Sequence, residues 1–201
     1  MATVSIDTSL SGVVSWTVED EPMERGSHAL AADGRFWLVD PVADDEALAK
    51  AEALGEPAAV LQLLDRHPRD CEEMAKRYGV PHLRLPEEVP ASPFEMHRMV
   101  WLKPWRELAL WWPEREILLV PEAIGTASYF AVGRRAGIHN FLRLKPPSKL
   151  RDFTPKHLLC GHGPPLHEDV PAAISEAVDR SRKDAPKAAW EGIKAFTPGG
   201  N

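Results

Sequence analysis

Acidic, basic and imidazole side chains follow four apolar segments whose lengths suit β-strands. The candidates for lining one pocket are Asp40, Asp65, His67, Arg69, Asp70, Glu122 and His162. Folds built on sheets often gather their functional groups at strand ends. Imidazole and carboxylate groups gathered in this way can bind a divalent metal ion or transfer protons. The spacing therefore predicts a polar pocket where the strand ends meet.

Strands and helices that would position these residues alternate along the chain. The four apolar segments are residues 36–39, 58–64, 117–120 and 157–160. Helices are predicted for residues 44–54, 70–78, 127–136 and 170–183, with a shorter one at 188–196. This pattern indicates one domain over residues 1–184, followed by a helical or frayed C-terminal tail over residues 185–201. Periodicity alone leaves open two stacked sheets or one doubly wound sheet.

The composition is that of a globular chain with an acidic balance. Hydrophobic residues make up 44% of the 201 residues, and the formal net charge is -6. An acidic chain is poorly suited to a phosphate backbone, so we expect no nucleic-acid partner. The sequence shows neither a signal-peptide pattern nor a membrane-spanning apolar run, and Cys71 and Cys160 form no metal-ligand or disulfide pattern. We therefore expect a cytoplasmic protein without a membrane segment.

The order of the motifs resembles that of the metallo-β-lactamase superfamily. The matching pieces are residues 37–40, 64–70, 117–122 and 157–163. In that family one strand ends in Asp, and the next leads into a helix through a His-x-His-x-Asp-His motif. A later strand ends in Gly-Asp, and the last strand ends in Gly-His. The resemblance extends over about residues 12–182 and implies an α+β fold, the four-layer αββα sandwich, with a doubly wound α/β domain as the alternative.

The second motif departs from the family pattern at metal-binding positions. Aligned on that motif, Asp65 replaces the first histidine and His67 keeps the second. Arg69 replaces the metal-binding Asp, and Asp70 replaces the histidine that follows. An alignment shifted by one residue keeps Asp70 as the Asp but loses both histidines. Neither alignment gives a complete motif.

The other family positions are kept in part. The middle Gly-His loop is missing, because residues 101–110 contain no histidine. Glu122 replaces the bridging Asp, and His162 is retained between two glycines. By the same resemblance, Asp40 is expected to orient a metal-binding histidine without contacting the metal itself.

These departures favour a pocket without a cofactor. We expect the Arg69 guanidinium to pair with the carboxylate of Asp70 or Glu122, and so to compensate buried negative charge without an ion. The alternative is zinc or another divalent metal ion. Its ligands would be Asp65, His67, Glu122 and His162.

Three functions are compatible with the sequence. The favoured one is a protein with a degraded metal site that binds a small molecule or a partner without metal-dependent hydrolysis. The second is a hydrolase that uses one metal ion on an ester, thioester or lactone. The third is an interaction protein with a tryptophan-rich surface, and a homo-oligomer is compatible with all three.

The remaining aromatic and imidazole residues are interpreted as structural. Packing inside the protein is the favoured role of the tryptophan-rich segment, which contains Trp101, Trp105, Trp111 and Trp112. Surface or partly buried positions without a role in the pocket are expected for His28, His82, His97, His139, His157 and His167.

Overall fold

A computed structural model describes residues 3–196, which form three sheets and four α-helices. The strands are β1 (Val4–Asp7), β2 (Val13–Val18), β3 (Gly26–Ala32), β4 (Arg35–Val39), β5 (Glu56–Gln62), β6 (His82–Arg84), β7 (Glu95–Leu102), β8 (Trp105–Trp112), β9 (Ile117–Val120), β10 (Ile124–Gly125), β11 (Gly137–Ile138) and β12 (His157–Cys160). The helices are α1 (Asp45–Glu52), α2 (Cys71–Tyr78), α3 (Ser128–Ala131) and α4 (Val170–Phe196). Short 3₁₀ turns cover Pro113–Arg115, Asn140–Leu142 and Ser148–Asp152.

Two of the sheets carry most of the strands. The larger has the order β1-β2-β3-β4-β5-β6, and the smaller has the order β12-β9-β8-β7. In the larger sheet β1 to β4 are antiparallel neighbours, whereas β4, β5 and β6 run parallel. In the smaller sheet β12 runs parallel to β9, and β9, β8 and β7 are antiparallel. Strands β10 and β11 form a separate two-stranded ribbon.

The two large sheets face each other across an apolar layer. Trp37 and Leu61 of the larger sheet lie in one buried cluster with Leu110 and Leu119 of the smaller sheet. Successive side chains of a strand point to opposite faces, and the intervening Leu38 therefore packs with α1 and α2 on the outside. Helix α4 covers the outer face of the smaller sheet. The predicted four-layer αββα sandwich is confirmed.

Residues suited to helix ends begin the first helix and end the second. Asp44 caps α1, because its Oδ1 accepts the Ala47 N–H at 2.9 Å. Gly79 ends α2 in the left-handed conformation, with φ 65°. The third helix is shorter than the predicted residues 127–136, since Val132 takes a left-handed φ of 53° and stops it.

Helix α4 runs without a break from Val170 to Phe196, past the predicted domain boundary at residue 184. The separate helix predicted at 188–196 is therefore the end of α4. Ala188 is fully buried, and its carbonyl accepts the Asn140 side-chain N–H at 3.2 Å, so this part of α4 packs on the domain. Residues 197–201 of the predicted tail lie outside the described residues. Within residues 3–196, every helix is too short or too polar to cross a bilayer.

We predict that truncation of a side chain buried between the two large sheets lowers the stability of the protein clearly. Leu61 is fully buried there, and Leu61→Ala should lower the free energy of unfolding by about 2–5 kcal/mol because it removes apolar contacts and leaves a cavity. Urea denaturation followed by tryptophan fluorescence measures this change. Leu102→Ala is the control: Leu102 is 69% exposed, and its loss should cost about 0.5 kcal/mol or less. Equal effects of the two substitutions would contradict the assignment of the core.

Candidate functional site

Three side chains from separate parts of the sequence meet at one end of the sandwich. One ligand atom each of His67, Glu122 and His162 lies within 4.8 Å of the other two, and all three residues are buried. The Nε2 atoms of His67 and His162 are 3.3 Å apart. The loops that carry these residues follow β5, β9 and β12, as expected for groups gathered at strand ends.

Contacts on the far side of the two histidine rings bear on where their protons lie. The Nδ1 of His162 lies 2.8 Å from the Met23 carbonyl oxygen, which only accepts, so this nitrogen carries the proton. The Nδ1 of His67 lies 3.5 Å from Asp40 Oδ2, and neither atom has a hydrogen-bond partner within residues 3–196. The neutral His162 ring therefore directs an unprotonated Nε2 towards His67, and the Asp40 carboxylate favours the same tautomer for His67 because it attracts a proton to Nδ1.

Asp40 stands behind His67 in a buried position. Its Oδ1 accepts the Leu63 N–H at 3.0 Å, which leaves Oδ2 facing the imidazole. Burial raises the pKa of Asp40 to about 6, although the nearby Arg69 guanidinium opposes this rise. A carboxylate in this position orients the ring and fixes its tautomer.

The two oxygens of the Glu122 carboxylate are contacted by one guanidinium and one imidazole group. Arg66 Nη2 donates to Oε2 at 2.6 Å, and His139 Nε2 lies 3.5 Å from Oε1. The Arg66 guanidinium also stacks over the Trp105 ring, 4.2 Å from its centroid. Burial raises the pKa of Glu122, while Arg66 opposes the rise.

The main chain of Glu122 is held by a second buried carboxylate, that of Glu107 in β8. Glu107 Oε1 accepts the N–H groups of Glu122 and Ala123, both at 2.8 Å, and Oε2 accepts the Trp105 indole N–H at 2.9 Å. A fully buried acid in an otherwise apolar strand is therefore satisfied by three donors. It fixes the loop that presents Glu122.

Arg69 contacts main-chain oxygen atoms. Its Nη1 donates to the carbonyls of Gly26 and Asp40, and its Nη2 donates to the Gly161 carbonyl at 2.8 Å. The prediction that Arg69 pairs with the carboxylate of Asp70 or Glu122 is wrong, because both terminal nitrogens of its guanidinium donate to these carbonyls. Arg66 pairs with Glu122 instead.

Asp65 and Asp70 lie in the same loop but are outside the group of three converging side chains. Asp65 Oδ2 accepts the Arg106 N–H at 3.0 Å, at the start of β8. Asp70 Oδ2 accepts the Ala43 N–H at 2.7 Å, in the turn before α1. Of the four alternative metal ligands named from the sequence, the structure brings together His67, Glu122 and His162, and not Asp65.

The glycines beside His162 permit a close approach of neighbouring chain segments. A Cβ on Gly161 would lie 2.2 Å from the Pro121 carbonyl oxygen, and one on Gly163 would lie 2.1 Å from the Ala127 nitrogen. Both distances are far below van der Waals contact, so only glycine fits. The Gly-His-Gly pattern thus places His162 against the loop of Glu122.

Three residues of this site were not predicted from the sequence: Arg66, Glu107 and His139. His139 was expected to be a surface or partly buried residue, yet it is only 5% exposed and faces Glu122. The one available signal was Glu107, a charged residue inside an apolar strand. His139 follows β11, whose two residues are too few to show periodicity.

The tryptophan-rich segment divides between core and surface. Trp105 and Trp112 are buried, and Trp111 is half-buried against the same core. Trp101 is 41% exposed at the β7–β8 hairpin, where the Arg98 guanidinium lies 4.5 Å from its ring centroid. Most of this segment therefore packs inside the protein.

Arg69 provides a prediction about stability. Arg69→Met should lower the free energy of unfolding by about 2 kcal/mol or more, since the carbonyls of Gly26, Asp40 and Gly161 each lose a hydrogen bond from a charged donor. Chemical denaturation at neutral pH measures this loss. Arg77→Met on the exposed face of α2, where the side chain is 42% exposed, should cost about 0.5 kcal/mol or less. Equal costs for the two variants would show that the carbonyl contacts of Arg69 do not stabilise the fold.

Glu107 provides a prediction about pH. Burial raises the pKa of Glu107 from 4.5 to about 7, so between these values the folded state binds more protons than the unfolded state. The contribution of Glu107 to stability is therefore complete below pH 4.5 and is lost as the pH rises through about 7. The stability of the wild type relative to Glu107→Gln should fall between about pH 5 and pH 8 in urea titrations. A constant difference would contradict the raised pKa, and Glu114→Gln, at an exposed position, is the surface control.

Comparison with known proteins gives structural matches alone. No family model and no curated protein sequence matches the chain. The DIM-1 metallo-β-lactamase exposed to ceftazidime has a TM-score of 0.61 and 11% identity, covering 91% of this chain and 99% of its own. A metallo-β-lactamase from Erythrobacter litoralis has a TM-score of 0.59 and 15% identity, covering 90% of this chain and 92% of its own.

A metallo-β-lactamase from Pontibacter korlensis also has a TM-score of 0.59, with 12% identity over 90% of this chain and 99% of its own. Identities this low show a shared architecture and carry no information about activity. The chain has the metallo-β-lactamase fold, as the order of its motifs predicted.

Proposed function

We propose that this protein binds one divalent metal ion, of the zinc class, through His67 Nε2, His162 Nε2 and the Glu122 carboxylate, and that it is a single-metal hydrolase. The observation that supports this proposal is the convergence of three acceptor atoms in a buried place. Two imidazole nitrogens and a carboxylate oxygen form a donor set typical of zinc.

The separation of the two histidine nitrogens fits such an ion. Zinc–nitrogen bonds of about 2.0–2.1 Å at a tetrahedral angle place two ligand nitrogens about 3.3 Å apart. The Nε2 atoms of His67 and His162 are 3.3 Å apart. Without a proton or a cation between them, two lone pairs at this distance repel each other.

A charged, doubly protonated imidazole is disfavoured in this environment. A proton between the two neutral rings would need the Nε2–H tautomer of His67, which leaves its Nδ1 lone pair facing Asp40 Oδ2. Burial, reinforced by the positive charges of Arg69 and Arg66, lowers the pKa of His67 well below its ordinary value. Burial, with His67 and Arg69 nearby, lowers the pKa of His162 in the same way. Both rings are thus held neutral, which is the form that binds metal.

The surrounding charges favour one ion over two. Asp40 and Glu122 supply the negative charge next to the histidines, and Arg66 and Arg69 supply positive charge of the same amount. Asp65 and Asp70, the other carboxylates named from the loop after β5, lie outside the converging group, and one oxygen of each accepts a backbone N–H. The arginines therefore limit the site to a single cation.

The roles of the protein groups follow from their contacts. The Met23 carbonyl accepts the outer proton of His162, and the Asp40 carboxylate faces Nδ1 of His67. Arg66 and His139 contact the two oxygens of Glu122. When bound, the ion would supply Lewis acidity for hydrolysis of an ester, thioester or lactone. Three protein donors leave a further position for water or substrate, as in catalytic sites.

A second candidate function is the binding of a small molecule or partner without metal. The two arginines favour it, since Arg69 is half-buried at the base of the site and Arg66 lies directly on Glu122, and both repel an incoming cation. The metal content of the purified protein separates the two candidates.

The metal proposal predicts stoichiometric zinc binding. Protein stripped with a chelator and titrated with zinc in competition with a chromophoric chelator should bind one equivalent. His67→Gln and His162→Gln should each weaken binding by a factor of about 100 or more, because each removes one of three donors. Circular dichroism and urea denaturation of each variant separate lost ligation from lost folding.

His97→Gln is the matched control, since the His97 side chain is 37% exposed and outside the site. Absence of zinc binding by the folded wild type would sink the proposal in favour of the metal-free candidate, and two equivalents would refute the charge argument. Zinc-loaded wild type is then assayed with an ester, a thioester and a lactone, with His67→Gln as the blank.

A further inference from the structure

His139 lies beside the metal-binding group but is not one of its three donors. Its ring is held perpendicular to Trp105, with 4.8 Å between centroids, and also packs against Phe130 at 5.4 Å. The residue is 5% exposed. These contacts fix the plane of the ring, so its two nitrogens have defined neighbours.

The proton on His139 is placed by the backbone that follows it. The Phe141 N–H donates to His139 Nδ1 at 3.2 Å, and a backbone N–H can only donate. The lone pair of the neutral ring is therefore on Nδ1, and the proton is on Nε2. That Nε2 faces Glu122 Oε1 at 3.5 Å.

This tautomer is the reverse of the one that His67 and His162 adopt. The Met23 carbonyl places the His162 proton on Nδ1, and the Asp40 carboxylate favours the same tautomer for His67, so that both rings direct lone pairs inward. His139 directs an N–H inward instead, so the same residue type supplies two acceptors and one donor to a single site. A neutral ring with this tautomer cannot bind a metal ion through Nε2.

The position of that donor completes a set of contacts around Glu122. Arg66 binds Oε2 at 2.6 Å, and Glu107 accepts the Glu122 N–H at 2.8 Å. With Arg66 alone, the carboxylate would be held at one oxygen and could turn about its last bond. A donor on Oε1 fixes the carboxylate plane.

We propose that His139 is a positioning residue, whose Nε2 proton holds Glu122 Oε1 so that the carboxylate faces His67 and His162. This role rests on the proposed metal site. Hydrogen bonds of unliganded sites are often long, and 3.5 Å is a distance that can shorten when the site is filled. Groups that orient a ligand typically affect metal affinity by a factor of about 10–100.

The first test is the tautomer, which is measured on the metal-free protein and is independent of metal binding. Long-range ¹H–¹⁵N correlation spectra of protein labelled with ¹⁵N-histidine should show His139 protonated on Nε2, and His67 and His162 protonated on Nδ1. The Hε2 resonance of His139 should shift in Glu122→Gln, since its acceptor changes. A proton on Nδ1 of His139, or a resonance insensitive to Glu122→Gln, would overturn the inference.

The second test is zinc affinity with two matched substitutions. His139→Phe keeps a ring against Trp105 and Phe130 but removes the donor, and should weaken zinc binding by a factor of about 10–100. His139→Gln keeps an N–H donor and should recover most of that loss. Unchanged affinity in a folded His139→Phe would refute the positioning role. If the folded wild type binds no zinc, the proposed function fails, and the tautomer and Glu122→Gln measurements decide whether His139 holds Glu122.

Discussion

The guanidinium of Arg69 joins the ends of both large sheets at the base of the candidate site. The carbonyls that accept from it belong to Gly26 at the start of β3, Asp40 after β4 and Gly161 after β12. The same ends are joined directly, since the Gly26 N–H donates to the Gly161 carbonyl at 2.8 Å. Because Asp40 and His162 stand at these strand ends, their separation from His67 depends on this link. A permanently charged group with several donors suits this task, as one side chain satisfies several buried carbonyls.

The arrangement of the candidate site depends on which nitrogen of each histidine ring carries a proton, as well as on which residues are neighbours. Three histidines lie within contact distance of one another or of Glu122. Outer hydrogen bonds assign an inward lone pair to His162 and an inward proton to His139, and the Asp40 carboxylate favours an inward lone pair on His67. Burial keeps the rings neutral, which preserves these assignments near neutral pH. A buried group of acceptors without a donor is costly. This arrangement fits the proposed cation site, in which the residues that contact the ligands from outside fix their directions.

Charge explains how such a site differs from one built for two metal ions. Arg69 stands where the resemblance implied a metal-binding Asp, and Arg66 is bonded to the carboxylate that was expected to bridge two ions. These two cations replace part of the positive charge that metal ions would supply. The fold permits this change because the strand ends stay in place through main-chain contacts, whatever charge the loop side chains carry.

Much of the architecture was predictable from local signals. Apolar segments gave the strands, Asp44 and Gly79 marked helix ends, and the order of the motifs indicated the αββα sandwich. The same motifs named His67, Glu122 and His162, because polar residues after strands are visible in a single sequence. Glycines around His162 were visible too, although the close approach that requires them was not.

The tertiary structure decided what these residues contact. Arg66 and Arg69 are three positions apart in one loop, yet one binds the Glu122 carboxylate and the other binds carbonyls of both sheets. No local pattern distinguishes them, since the partners of a long side chain lie dozens of residues away. His139 was missed for the same reason: β11 is too short to carry a periodic signal, and its neighbour Glu122 comes from another strand. The sequence thus determined the strands and the identity of the residues at the candidate site. Long-range packing determined where their side chains point and which nitrogen of each histidine ring carries a proton.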